Sequence, residues 1–230
     1  MQYTIIIPTL DEEKNLKTLL PKLSCYCEHV DAEIIIVDAP SSSDQTRLLC
    51  SRFDVRYHRS SSTSRSIQMN EGTDLARGEV LIFMHADVRP PSGLCLYIRD
   101  AITQDIDAGY FSYRFDRMSW LLRINSYFTK YKGLFVGGGD QCLFIKSVLF
   151  QSLGGFNEHY PIMEDFELYD RLKNHGAKIT IIDQPLTVSA RKYEGRSWVR
   201  VNFANLVVFS AYRLGISPDK LQSWYKGLLG

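Results

Sequence analysis

Asp87 closes the run Leu81-Ile-Phe-Met-His-Ala-Asp87, in which a carboxylate leaves an apolar segment. That arrangement suits a divalent cation held against phosphates. Mg2+ and Mn2+ take oxygen ligands, keep several waters, and bind through one or two carboxylates plus phosphate oxygens. His85 stands two residues earlier, on the same side of an extended chain, as a second ligand or as a hydrogen-bonding neighbour. A turn-forming aspartate accounts for position 87 equally well. Asp38 follows Glu33-Ile-Ile-Ile-Val37, where an acid can accept hydrogen bonds from a ribose or a base, or can start the Ala39-Pro-Ser turn.

Further along, Arg65, Gln68 and Asn70 lie near the start of a predicted helix, and a helix N-terminus with a cation suits a diphosphate. A solvated helical face explains them nearly as well. Glu164-Asp165 opens another helix: the pair complements the helix dipole, or one member serves as a general base toward a hydroxyl. Arg191 and Lys192 are either surface cations or neutralise a departing diphosphate. No G-x-S-x-G run and no G-x-x-x-x-G-K-[ST] loop occurs, the five histidines are dispersed, and Gly137-Gly-Gly139 lacks Rossmann spacing.

These residues need a frame. Tyr3–Ile7, Glu33–Val37, Val55–His58 and Glu79–Met84 read as strands, separated by helices over 11–23, from the 41–44 capping run to Arg52, and 64–76. Strands alternating with helices predict a mostly parallel sheet covered on both faces, with ligands at the carboxyl ends of the strands. Asp38 and Asp87 both fall at such ends. The second half is less regular: a strand over 108–115, an aromatic and cationic stretch over 120–132, an apolar run over 142–145, a helix over 164–174, a strand over 178–182 and a helix from Ser197 to about Leu214.

The chain has 230 residues, 45% hydrophobic and 23% charged, with a formal net charge of +1. That is an ordinary globular balance, with no global field to recruit nucleic acid. One domain is expected, in three segments over 1–90, 91–195 and 196–230, the last of them helical. The five scattered cysteines read as reduced thiols of a cytoplasmic protein, and no apolar stretch approaches the length of a bilayer span. Between Arg114 and Lys132, apolar and cationic residues interleave. A core-packing helix with a cationic outer side is the preferred reading, and a peripheral contact at the inner face of a membrane is the other.

Together these residues resemble the family 2 glycosyltransferases with the GT-A fold, closest to a bacterial subgroup of small single-domain members. Ile5-Ile-Ile-Pro-Thr-Leu-Asp-Glu12 is similar to the family's first nucleotide-binding loop, and Ile36-Val-Asp38 with Ser43-Asp-Gln-Thr46 to its second. Phe83-Met-His-Ala-Asp87 resembles the metal-binding acidic motif, Gly139-Asp-Gln141 an acceptor-side loop, and Met163-Glu-Asp165 the base motif.

The resemblance implies a Rossmann-like α/β domain, with a nucleotide-sugar half over 1–90 and an acceptor half over 91–195, and an inverting transfer from a nucleoside-diphosphate sugar, with UDP favoured, to an unidentified hydroxyl. Asp165 would be the base with Glu164 in support. Asp87, with His85, would hold Mn2+ or Mg2+. Pro8, Thr9, Asp11, Glu12 and Asp38 would hold the nucleoside, with Ala86, Asp140, Gln141 and Arg191 completing the substrate contacts. His85 stands where the family commonly has an acid, and Ala39-Pro40 replaces the small, flexible residues usual after the second strand. The competing expectations are a non-catalytic nucleotide-sugar sensor and a sugar-phosphate nucleotidylyltransferase. The latter usually needs a Gly-rich basic loop where this chain has Leu10-Asp-Glu-Glu13.

Overall fold

A computed structural model describes residues 2–117, 119–130 and 137–230. Among these residues eight strands form one sheet: β1 (Tyr3–Thr9), β2 (Ala32–Asp38), β3 (Arg56–Arg59), β4 (Val80–Phe83), β5 (Val88–Arg89), β6 (Ala108–Phe115), β7 (Leu143–Lys146) and β8 (Ile179–Val188). Their spatial order is β3-β2-β1-β4-β7-β6-β8-β5. Pairs β1–β2, β1–β4, β2–β3 and β6–β8 are parallel, whereas β7 runs antiparallel to both β4 and β6, and β5 antiparallel to β8. The mostly parallel α/β sheet expected from the strand–helix alternation is therefore present, with an antiparallel seam where its two halves join.

The apolar runs form strands because both of their faces are buried. In β1, Ile5 and Ile7 enter one core while Ile6 enters the other; in β2, Ile34 and Ile36 oppose Ile35 and Val37. One face is covered by α1 (Glu13–Cys27), which buries Leu16, Leu19, Leu20 and Leu23 at helical spacing. The other receives Met69 of α3 (Arg65–Leu75) and Leu168, Tyr169 and Leu172 of α7 (Glu164–Asn174). Gly78 lies against β1: a methyl there would sit 2.5 Å from the Thr4 nitrogen and 2.6 Å from the Tyr3 carbonyl carbon.

Several elements carried no clear sequence signal. These are α2 in its short form (Thr46–Cys50), α4 (Leu94–Thr103), α6 (Ser147–Ser152) and α9 (Pro218–Leu229). Two further helices, α5 (Trp120–Phe128) and α8 (Trp198–Arg213), match the expected apolar segments. Of the 114–132 stretch, Met118, Tyr131 and Lys132 lie outside the described residues. Phe115 and Leu122 are buried while Trp120 and Ile124 are exposed, so α5 both packs on the core and presents apolar surface. Among the described residues no helix is long and apolar enough to cross a membrane, and all five cysteines are free thiols.

Candidate active site

The carboxyl ends of β1 and β2 are in register, Thr9 opposite Asp38. Asp38 is 1% exposed and fully engaged: it accepts from Thr9 Oγ1 at 2.9 Å, Tyr57 Oη at 3.0 Å and Arg59 Nη1 at 3.1 Å. Gln68 is likewise buried, its amide bridging the carbonyls of Thr9 and Val37 at 2.9 and 2.8 Å. Asp11, in a left-handed conformation at φ 53°, accepts from the backbone N–H groups of Ser43 and Asp44. The two expected nucleotide loops are thus already tied to each other.

The two-residue strand β5 explains the next contacts. Pairing Val88 with Val188 brings the segment after β8 alongside Asp87. Arg191 then reaches two carboxylates from one guanidinium, with Nε 3.1 Å from Asp87 Oδ2 and Nη2 2.7 Å from Glu12 Oε1. Beside it Lys192 Nζ sits 3.3 Å from Asp140 Oδ2. Burial alone would raise the Asp140 carboxyl, but Lys192 and then His85 outweigh it and hold that carboxyl far below the usual range.

Asp140 reaches this position because β7 runs antiparallel to β4, Phe83 opposite Leu143, which sets the one-turn helix Gly139–Gln141 beside His85. His85 Nδ1 is 3.8 Å from Asp140 Oδ1. Gly139 has no room for a side chain: a methyl would lie 2.6 Å from both Asp165 Oδ2 and His85 Cε1. Glycine here lets the loop, the imidazole and the Asp165 carboxylate meet.

Asp165 is delivered by the first turn of α7, after Met163 in a left-handed conformation at φ 65°. A non-glycine residue held there costs roughly 1–3 kcal/mol and persists only where its surroundings over-determine it. Burial, and then the neighbouring Glu164 charge, push the Asp165 carboxyl up to about 7, against the opposing pull of His85 and Arg65. Glu164 is 1% exposed; its one ionic partner is Arg65 Nε at 3.3 Å, and neither oxygen accepts a hydrogen bond among the described residues.

These groups line a cavity of about 590 Å3, together with Pro8, Thr9, Ala86 and the distant Asn205 and Tyr225. Among the expected site residues, Glu12, Arg65, Gln68, His85, Asp87, Asp140, Glu164, Asp165 and Arg191 also border it. Asp11 and Asp38 brace its rim from behind. Asn70 turns away, bonding the Phe156 carbonyl and Glu158 and lining a separate surface depression. Gln141 faces a neighbouring cavity and ties Gly137 N–H to the Thr129 carbonyl.

As for a metal, no three His, Cys, Asp or Glu side chains converge to hold an ion among the described residues. His85 and Asp87 alone do not close such a site. Asp87 nonetheless lines the cavity, with the half-exposed Arg191 guanidinium upon it. One carboxylate of that kind fits a cation that arrives with phosphate oxygens.

The sheet and its covering helices form a GT-A fold, and comparison with known proteins agrees at the level of family and fold. Residues 4–151 match the model of glycosyl transferase family 2, and the chain belongs to that family. A dolichol-phosphate mannosyltransferase of Pyrococcus furiosus is 27% identical over 111 residues, which is 46% of this chain and 32% of the relative. The chain thus spans about a third of the length of that curated relative. Among solved structures, the mannosyltransferase PcManGT of Pyrobaculum calidifontis, in complex with GDP-Man and Mn2+, superposes with a TM-score of 0.69 at 19% identity, covering 99% of this chain and 68% of that one. S. aureus TarS 1–349 in complex with UDP-GlcNAc gives 0.64 at 15% identity, covering 100% and 72%.

Proposed function

We propose that the chain transfers a glycosyl group from a nucleoside-diphosphate sugar, UDP-linked, to an acceptor hydroxyl with inversion at the anomeric carbon. The observation carrying this reading is the Asp165 carboxyl, raised to about 7 and facing a cavity that Asp87, Arg191 and Lys192 also line. A general base works best with a pKa near the working pH. Asp165 takes the acceptor proton as the acceptor oxygen bonds to the anomeric carbon, and the bond from that carbon to the diphosphate oxygen breaks on the opposite face. Glu164 supports the base through its charge. Arg191, leaving Glu12 and Asp87, meets the departing diphosphate with Lys192 beside it. Asp87 would hold a divalent cation, Mn2+ or Mg2+, which when bound supplies Lewis-acid charge at the diphosphate.

The reading is supported by family membership and by relatives whose complexes contain nucleotide sugars. Its test is a panel of UDP-, GDP- and dTDP-sugars with Mn2+, read by release of nucleoside diphosphate. Release from one donor that is abolished in Asp165→Asn is the expected result. Tight donor binding with no release under any condition, in the presence of varied acceptors, would instead make the chain a sensor.

A further inference from the structure

A second cavity of about 440 Å3 adjoins the first and shares with it Asp140, Met163, Phe166, Lys192 and Asn205. Asp165 lines the first cavity, and its chain neighbour Phe166 lines both. The second cavity differs in character. Ile124 of α5 and Trp198, Leu206 and Phe209 of α8 form its walls, and the size falls in the ~300–1,000 Å3 range of small-molecule pockets, which are lined mainly by apolar side chains. The transfer step as derived above leaves it unused.

Three further observations give this space a ligand. First, the Trp198 indole N–H is buried without a hydrogen-bond partner, and Trp198 lines the cavity. An indole can only donate, so it calls for an oxygen acceptor that the described residues do not supply. Second, the mouth is apolar on its outer side. Ile124 and Leu206 line the cavity while remaining 39% and 52% exposed, and Trp120, Val199 and Phe203 extend the same surface at helical spacing. Third, the two helices are joined edge to edge by Asn125 Nδ2 donating to Asn202 Oδ1 at 3.0 Å, so their exposed apolar faces are contiguous. Neither helix contains an acidic residue, and their cations are Arg123, Arg200 and Arg213.

We propose that this second cavity binds the apolar body of an amphiphilic acceptor, a hydrophobic alcohol or phosphate whose oxygen-bearing end reaches Asp140, Lys192 and the base while its chain leaves between α5 and α8. Calling the ligand an acceptor rests on the transferase reading above; the cavity's affinity for an apolar chain does not. Such a molecule comes either free in solution or from a bilayer, and the same mouth serves both sources.

The test uses the full chain carrying Trp120→Phe and Trp224→Phe, which leaves Trp198 as the one indole of three. Titration with 10-bromodecan-1-ol, whose bromine quenches indole emission on contact, is expected to give saturable quenching. Ile124→Asp and Leu206→Asp, at exposed positions that need not perturb folding, place a charge in the path of the chain and should weaken that quenching by about tenfold or more. UDP binding, measured separately by calorimetry, should be unaffected in both variants; its loss in the parent protein would count against the transferase reading and not against this cavity.

Sedimentation with phosphatidylcholine–phosphatidylglycerol vesicles separates the sources. Quenching with vesicle binding supports a bilayer-resident acceptor, and quenching without it a free one. Absence of saturable quenching, or quenching equal in the Asp variants, overturns the proposal, as does vesicle binding unaccompanied by quenching.

Discussion

The two sides of the cleft are finished to different degrees. On the nucleotide side, polar side chains are spoken for: Asp38 has three donors, Gln68 two carbonyls, and Asp11 two backbone N–H groups. On the other side they are not. Glu164 accepts no hydrogen bond, and the Tyr110 hydroxyl and Trp198 N–H are buried without partners, whereas Thr46 Oγ1 is the one such atom of the nucleotide half among the described residues. Unmade hydrogen bonds inside a protein are costly, so a fold keeps them where something else completes them. The lesson is that one half of this cleft is a prepared socket and the other a set of open valences.

That contrast can be broken by substitution. The largest effect is expected from Asp165→Asn: loss of a general base costs roughly 10^2–10^4 in turnover, measured as nucleoside diphosphate release, with nucleotide affinity little changed. The same change should show a stability signature. Asp165 binds its proton more tightly folded than unfolded, so its contribution is complete below the unfolded value of about 3.9 and is lost as pH rises through about 7. Relative to wild type, the Asn variant should therefore melt progressively higher from pH 5 to pH 8. A constant difference would remove the claim of a raised carboxyl.

Next in size come two glycines. In Gly139→Ala the added methyl meets the ends of Asp165 and His85, groups that can yield, so misplacement by an ångström should cost on the order of 10^2 in turnover at modest cost in stability. In Gly78→Ala it meets the backbone of β1, which cannot yield, and roughly 1–3 kcal/mol of stability should be lost by urea unfolding. Equal losses of stability in both variants would erase the distinction between the two sides. Asp38→Ala tests the socket directly: stranding Tyr57 and the inner nitrogen of Arg59 should cost about 1–3 kcal/mol.

The smallest effect is the most specific. Because the Glu164 charge is the second cause of the raised Asp165 carboxyl, Glu164→Gln should move the pH midpoint of turnover downward, and Arg65→Met should move it upward. Shifts in the same direction would mean that neither charge is felt at the base.

Much of the nucleotide half was legible in the sequence for the same reason that it is rigid. Parallel strands buried on both faces read as unbroken apolar runs, and Asp38 and Asp87 stood out by ending two of them. The other half left weaker traces. β8 continues from the legible Ile179-Thr-Ile-Ile182 through Asp183-Gln-Pro185, whose polarity and proline argue against a strand, because its outer side is solvent-facing. β5 has two residues and no period, yet it sets Arg191 upon Asp87. Asn205 and Tyr225 reach the cavity from helices with no motif, and Gly139 looked like one of three turn glycines until the side chains around it were in place. Asn70 illustrates the opposite case: it shares a helix with Arg65, but five residues of rotation point it at Phe156 and Glu158.

The antiparallel contact that delivers Arg191 has a second effect at the margin of the sheet. Since β5 pairs with β8 only at Thr187 and Val188, the rest of that strand has no strand neighbour on its outer side among the described residues. An open border of this kind, with isoleucines at 179, 181 and 182, is a template on which another chain can stack. Lys178, Asp183 and Pro185 bracket those isoleucines as gatekeepers, a charge at either end and a residue that cannot extend a ladder. The border that serves the cleft thus carries its own obstacles to a further strand.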